Sequence, residues 1–206
     1  MNTSVKYFVG AATIVLGVRL AVAATEPAAV QTAPPAQDPK MVAWQQYATP
    51  GEAHKRLDPL VGQWTCTVKS WMKPEAAPEE SKGTAETRWI FGNRFISEEF
   101  HGQWMNQPFE GIGITGYDNL RKEYTLVLFD NMGTGIMTAA AQYDAASSAL
   151  NEQGSFACPL TGETHRTFRG VWNIVDNNHH TYEMYMKDET GKEFKGMEIH
   201  YERVQG

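Results

Sequence analysis

Two adjacent carboxylates, Glu98 and Glu99, are the side chains of this 206-residue sequence best placed for proton transfer. Neighbours on a β-strand point to opposite faces, so the two cannot form one dyad. One is expected to enter the interior and pair with Arg88, Arg94 or Arg166, because a buried charge needs a partner. The competing reading gives that carboxylate a general acid or base role. Other catalytic patterns are absent. There is no Gly-x-Ser-x-Gly elbow, and neither Cys66 nor Cys158 lies in a nucleophile motif or a Cys-x-x-Cys. His54, His101, His165, His179, His180 and His200 include no His-Glu-x-x-His and no zinc-like spacing with cysteine, so no metal and no cofactor is expected. His179-His180 falls in an Asn/Asp turn and reads as solvent-exposed. His200 alternates with glutamates on an outward face, which disfavours it as a haem ligand.

The stretch "FDNMGTGIM" (129–137) places Gly133 and Gly135 after an apolar run, as a phosphate loop would. No helix follows, and the lysine and hydroxyl of a nucleoside-triphosphate loop are missing. A hairpin with a glycine at positive φ is expected instead.

These residues must be positioned by strands. From Val61 onward, ten segments alternate apolar and polar residues with period two. Turn chemistry separates them, as at Gly92-Asn93, Asp118-Asn119 and Asp188 to Gly191. The pattern predicts an all-β fold, an antiparallel up-and-down closed barrel of about ten strands. Before it, residues 41–48 read as a short helix. Thr49 is an expected N-cap for a second helical start, which Asp58-Pro59 ends.

By parity the interior receives Trp64, Cys66, Val68, Phe168, Trp172, Tyr182, Met184, Met186, Met197, Ile199 and Tyr201. Aromatic and methionine side chains suit a small apolar or amphipathic ligand. Trp172, Tyr182, Met184 and Tyr201 are the candidate contacts, with Arg166 or Tyr182 receiving a carboxylate or hydroxyl. The alternative is a filled core and a structural or partner-binding role. Ten strands favour a cavity, since side chains alone do not easily fill so wide a barrel. The outward side of "LVLF" (126–129) is an expected contact between two copies of the chain.

Residues 1–23 read as a signal peptide. Lys6 precedes a twelve-residue apolar run (7–18), and "AVA" (21–23) is a cleavage pattern. The run is short for a membrane span, so no stable insertion is expected after cleavage. Residues 24–48 form an Ala/Pro-rich tether with the short helix, and 49–206 form the barrel domain. The expected location is periplasmic or secreted. Loss of Lys6 and Arg19 would leave 16 basic against 24 acidic side chains, a net charge of −8. Without a basic cluster, nucleic-acid binding is excluded. In an oxidising compartment Cys66 and Cys158 either form a disulfide or act as two small buried hydrophobes.

Gly62-x-Trp64 opens the first strand, and Arg203 ends the last. In a closed meander those strands are neighbours, and a guanidinium over the indole would plug the floor. This pairing resembles the signature of the calycins, the lipocalins and their relatives. Over about residues 50–204, "EAHKRLDPLVGQW", "FEGIGITGYDN" and "DNMGTG" resemble the bacterial domain-of-unknown-function 1579 family. That resemblance implies a secreted β-barrel and transfers no catalytic residue.

Overall fold

The computed structural model describes residues 38–205. The expected signal peptide and most of the tether lie outside the described residues. Helix α1 (Pro39–Ala48) starts where the Asp38 side chain accepts a hydrogen bond from the Lys40 amide at 2.9 Å. The Thr49 hydroxyl donates to the Gln45 carbonyl at 2.6 Å. Thr49 therefore closes α1 and does not cap the next helix. The one-turn helix α2 (Glu52–Lys55) instead begins after Gly51, whose amide donates to His54 Nδ1 at 3.1 Å. A 3-10 turn over Asp58–Leu60 then hands the chain to the sheet.

Ten strands follow. They are β1 (Gly62–Ser70), β2 (Glu79–Ile90), β3 (Phe95–Trp104), β4 (Gln107–Asp118) and β5 (Glu123–Asp130). The second half comprises β6 (Met137–Asp144), β7 (Ala149–Cys158), β8 (Glu163–Ile174), β9 (His179–Lys187) and β10 (Glu193–Arg203). Each strand pairs antiparallel with its sequence neighbour, and β10 pairs back onto β1, closing the barrel. Alternation sets which face is inside. On β10 Ile199 and Tyr201 are buried, while His200 and Glu202 are exposed.

The seam between β1 and β10 sets Trp64 opposite Arg203. The Arg203 guanidinium lies 4.1 Å from the indole centroid. It donates to the carbonyls of Val61 at 2.7 Å and Pro59 at 2.9 Å, and also to that of Asn177. Trp64 is fully buried, and its indole N–H donates to the Leu60 carbonyl at 2.9 Å. Residue 62 has to be glycine. Its φ is +143°, and a Cβ there would stand 2.0 Å from Arg203 Nη1. The helical segment covers this end of the barrel. Leu57 is fully buried, Tyr124 donates to the Ala53 carbonyl at 2.7 Å, and Trp89 donates to Asp58 at 3.0 Å.

The structure bears on the two open readings of the cysteines and corrects one turn expectation. Cys66 and Cys158 are both free and buried. Strands β1 and β7 stand four places apart around the barrel. At about 4.8 Å per place, that puts them beyond bridging distance. The 131–136 turn also gets no positive φ from Gly133 or Gly135. It is held by side chains: the Glu110 amide donates to Asn131 Oδ1 at 3.0 Å, Asn131 donates to the Pro108 carbonyl at 3.1 Å, and the Met132 amide donates to Asp130 at 2.9 Å.

Truncating Arg203 strands three carbonyls and bares the indole. Arg203→Ala is expected to lower the unfolding free energy by ~2–4 kcal/mol, with Arg203→Lys recovering less than half. Urea titration with the m-value held constant checks this. An Arg203→Ala midpoint equal to that of the parent would remove the floor's structural role.

Candidate functional site, a carboxyl-flanked cavity

Inside the barrel lies a cavity of about 190 Å³ that reaches from Leu60 at the floor to Trp104 and Phe109 near the opposite rim. The interior is therefore not packed solid. Its walls are mostly apolar, with Phe100, Phe168, Met184 and Met197 among them. Two carboxyls break that surface, Glu98 on β3 and Glu152 on β7.

Glu98 accepts from the Thr87 hydroxyl at 3.3 Å and from the Tyr201 hydroxyl at 3.4 Å. Among the described residues it has no arginine partner. Arg88 pairs instead with the outward Glu99. The expected inward ion pair is thus corrected, because Arg88 lies on the other face of the sheet, Arg94 donates to the Phe91 carbonyl in the β2–β3 turn and Arg166 to the Lys187 carbonyl. Burial pushes the Glu98 carboxyl up to about 7, against the two hydroxyls, which favour its ionised form. The accessible surface that Glu98 retains faces the cavity.

Glu152 is 2% exposed. Its Oε2 accepts from the Tyr182 hydroxyl at 3.3 Å. Burial pushes it up to about 8, while the nearby Trp172 indole and Tyr182 hydroxyl pull the other way. The indole does not reach good hydrogen-bond geometry, so Trp172 Nε1 and Glu152 Oε1 are both buried without a partner. Gly170 makes this arrangement fit. A Cβ there would meet Glu152 Oε2 at 2.5 Å and the Tyr182 hydroxyl at 2.9 Å.

The two carboxyls are joined by an aromatic row. The Tyr182 ring lies 4.7 Å from Trp172, and Trp172 lies 5.8 Å from Tyr201. The row therefore runs from Glu152 through Tyr182, Trp172 and Tyr201 to Glu98. His180 sits against it, stacked on Tyr201 at 4.1 Å and edge-on to Trp64 at 4.3 Å. Neither ring nitrogen has a partner, and burial, reinforced by the charge of Arg203, lowers His180 to about 3. It is neutral near pH 7.

Of the candidate contacts, Trp172, Tyr182, Met184 and Tyr201 all line the cavity. Arg166 does not. Its guanidinium is held by the Lys187 carbonyl at 3.1 Å and by Cys158 Sγ at 3.5 Å. His200 points outward, toward Glu198. Phe129 is exposed beside Ile112, its partner across the β4–β5 pair, while Leu126 and Leu128 line the cavity. His180 is a further correction, since it is buried, unlike its exposed neighbour His179. Its phase relative to Tyr182 and Met184 carried that signal. Glu152 was missed, although it alternates in phase with Leu150 on β7.

A family model described as "Protein of unknown function (DUF1579)" matches residues 49–203. The chain belongs to the DUF1579 family. Among curated proteins none matches it in sequence. In structure, this DUF1579 chain is similar to Rv2717c from M. tuberculosis, with 16% identity and a TM-score of 0.56 over 76% of this chain and 100% of that one. It is also similar to the S-type phycobiliprotein lyase CPES from Guillardia theta, with 10% identity and a TM-score of 0.54 over 75% and 93% of the two chains. At such identities the likeness is one of fold, a lipocalin-like closed barrel.

The cavity groups give stability a pH dependence of known sign. A carboxyl raised by folding stabilises fully below its ordinary 4.5, and that contribution is lost as pH climbs through 7 to 8. His180 is depressed, so its contribution is present above 6.5 and lost as pH falls toward 3. The thermal midpoint is expected to peak near pH 5 and fall toward pH 8. In the Glu98→Gln/Glu152→Gln double variant the alkaline fall should vanish. A midpoint that rises between pH 5 and pH 8 in the parent would contradict the buried, neutral state of these acids.

Proposed function

We propose that this DUF1579 protein is an exported binding protein that holds a small apolar or amphipathic molecule in the barrel without transforming it. One observation carries the reading. The cavity is walled by apolar side chains, yet Glu152 Oε1 and Trp172 Nε1 lie buried and unpartnered at its wall. A protein interior normally satisfies such groups, and leaving one unmade costs about 1–3 kcal/mol. A guest that bonds to them recovers that cost. The volume suits a guest of one or two rings, since an apolar cavity of about 150 Å³ takes benzene. The signal-like segment with Lys6, the apolar run and "AVA" supports export.

Gly113 offers a clean test of the cavity. It lines the wall, and an added Cβ would meet only Leu128 Cδ1, at 3.7 Å. Gly113→Leu should therefore fill the space without a backbone clash. One- and two-ring aromatic probes are expected to raise the thermal midpoint of the parent, as ligands that bind only the folded state do. In Gly113→Leu the shift should be gone and the unliganded midpoint no lower. A parent that responds to no probe, or a variant that responds equally, would end the binding reading.

Export is checked separately by N-terminal sequencing of protein recovered from the periplasm or medium. The expected first residue is Ala24. Full-length chain confined to the cytoplasm would refute it.

A further inference from the structure

This inference rests on the cavity being a binding site, and it concerns what enters. We propose that the guest is an organic cation, an apolar amine or other protonated nitrogen base of about one ring and a short chain. The geometry points there in three ways.

First, the charged side chains at the wall are all of one kind. Glu98 and Glu152 line the cavity, and among the described residues no lysine, arginine or histidine does. The basic groups nearby are committed elsewhere. Arg203 is held under the floor by three carbonyls and the Trp64 ring. Arg166 is held at the rim by the Lys187 carbonyl and Cys158. His180 lies among Trp64, Trp172 and Tyr201 and does not reach the cavity. A fatty-acid carboxylate would meet no counter-charge here, and Arg166 is not free to receive one.

Second, the acids are incompletely satisfied. The groups facing Glu98 are the Thr87 and Tyr201 hydroxyls, with the Cys66 thiol on β1 close enough to feel its charge. Those facing Glu152 are the Tyr182 hydroxyl and the Trp172 indole, and Oε1 has no partner. None of these carries positive charge. An ammonium supplies the missing donor and the missing charge together, in a site where low dielectric strengthens their attraction.

Third, the wall between the acids is aromatic. Tyr182, Trp172 and Tyr201 form the row whose two ends hydrogen-bond the carboxyls. Aromatic faces attract cations through the ring quadrupole, by ~2 kcal/mol or more when desolvated. A cation over this row stays within one residue of a carboxyl at either end. When it enters, the ionised carboxylate becomes the favoured form, and the proton it held leaves to solvent.

Three probes of nearly equal shape discriminate the charge: phenethylammonium, 2-phenylethanol and 3-phenylpropanoate. Isothermal titration at pH 7.5, in two buffers of different ionisation enthalpy, measures affinity and proton release together. Phenethylammonium is expected to bind at least ~10-fold tighter than the alcohol, with net proton release, and the carboxylate is expected not to bind. In Glu98→Gln and in Glu152→Gln, ammonium affinity should fall toward that of the alcohol. Retained alcohol binding reports an intact cavity, and the ranking in the unaltered protein stands without either variant. If the alcohol or the carboxylate binds as well as the ammonium, the cation assignment fails while cavity binding survives. If none of the three binds, both fall.

Discussion

A ring of ten β-strands is wider than inward side chains can fill, and the interior of this protein answers to that constraint. Space left at the centre has to be bounded, and its polar groups have to be tolerated far from water. The fold meets the first demand with a floor and the second with hydroxyls. At the floor a buried indole lies beneath a guanidinium, and a short helical lead-in caps both. At mid-height two carboxyls each borrow a tyrosine hydroxyl, which softens burial without supplying a counter-charge.

Neutrality explains how those acids are tolerated. An ionised carboxylate without a cation would be a heavy penalty inside an apolar wall. Burial raises both carboxyls enough that the proton is retained over much of the neutral range. His180 completes the pattern from the other side, remaining uncharged because burial disfavours the imidazolium and the positive charge of Arg203 adds to that. In each of Glu98, Glu152 and His180, burial thus favours the neutral form.

The architecture was largely legible in the sequence, because strand phase and turn chemistry are local signals. The alternation of Ile199 and Tyr201 against His200 and Glu202 fixed the inner face of β10, and Gly62, Trp64 and Arg203 marked the closure. What was illegible is who satisfies whom. Parity placed one of Glu98 and Glu99 inside, but the opposite phase of Arg88 denied the inward one its expected partner. Arg166 points toward the interior by phase, yet a backbone carbonyl takes up its guanidinium at the rim. His180 follows a turn so tightly that turn composition masked its strand phase. The cysteines illustrate the same limit, since spacing along the chain does not show how many strands lie between them around a cylinder.

Of the ten strand pairings, nine join sequence neighbours and one does not. Hairpins of the first kind can zip locally, whereas the seam brings Arg203 to carbonyls 142 and 144 residues upstream. Loop-closure entropy makes that contact the most expensive to form by diffusion. Until it forms, the meander is an open sheet with two bare edges, a shape prone to pair with other chains. The residue that plugs the floor therefore also clamps the end of the seam whose pairing ends this vulnerable interval, and the hollow exists only once that seam has closed.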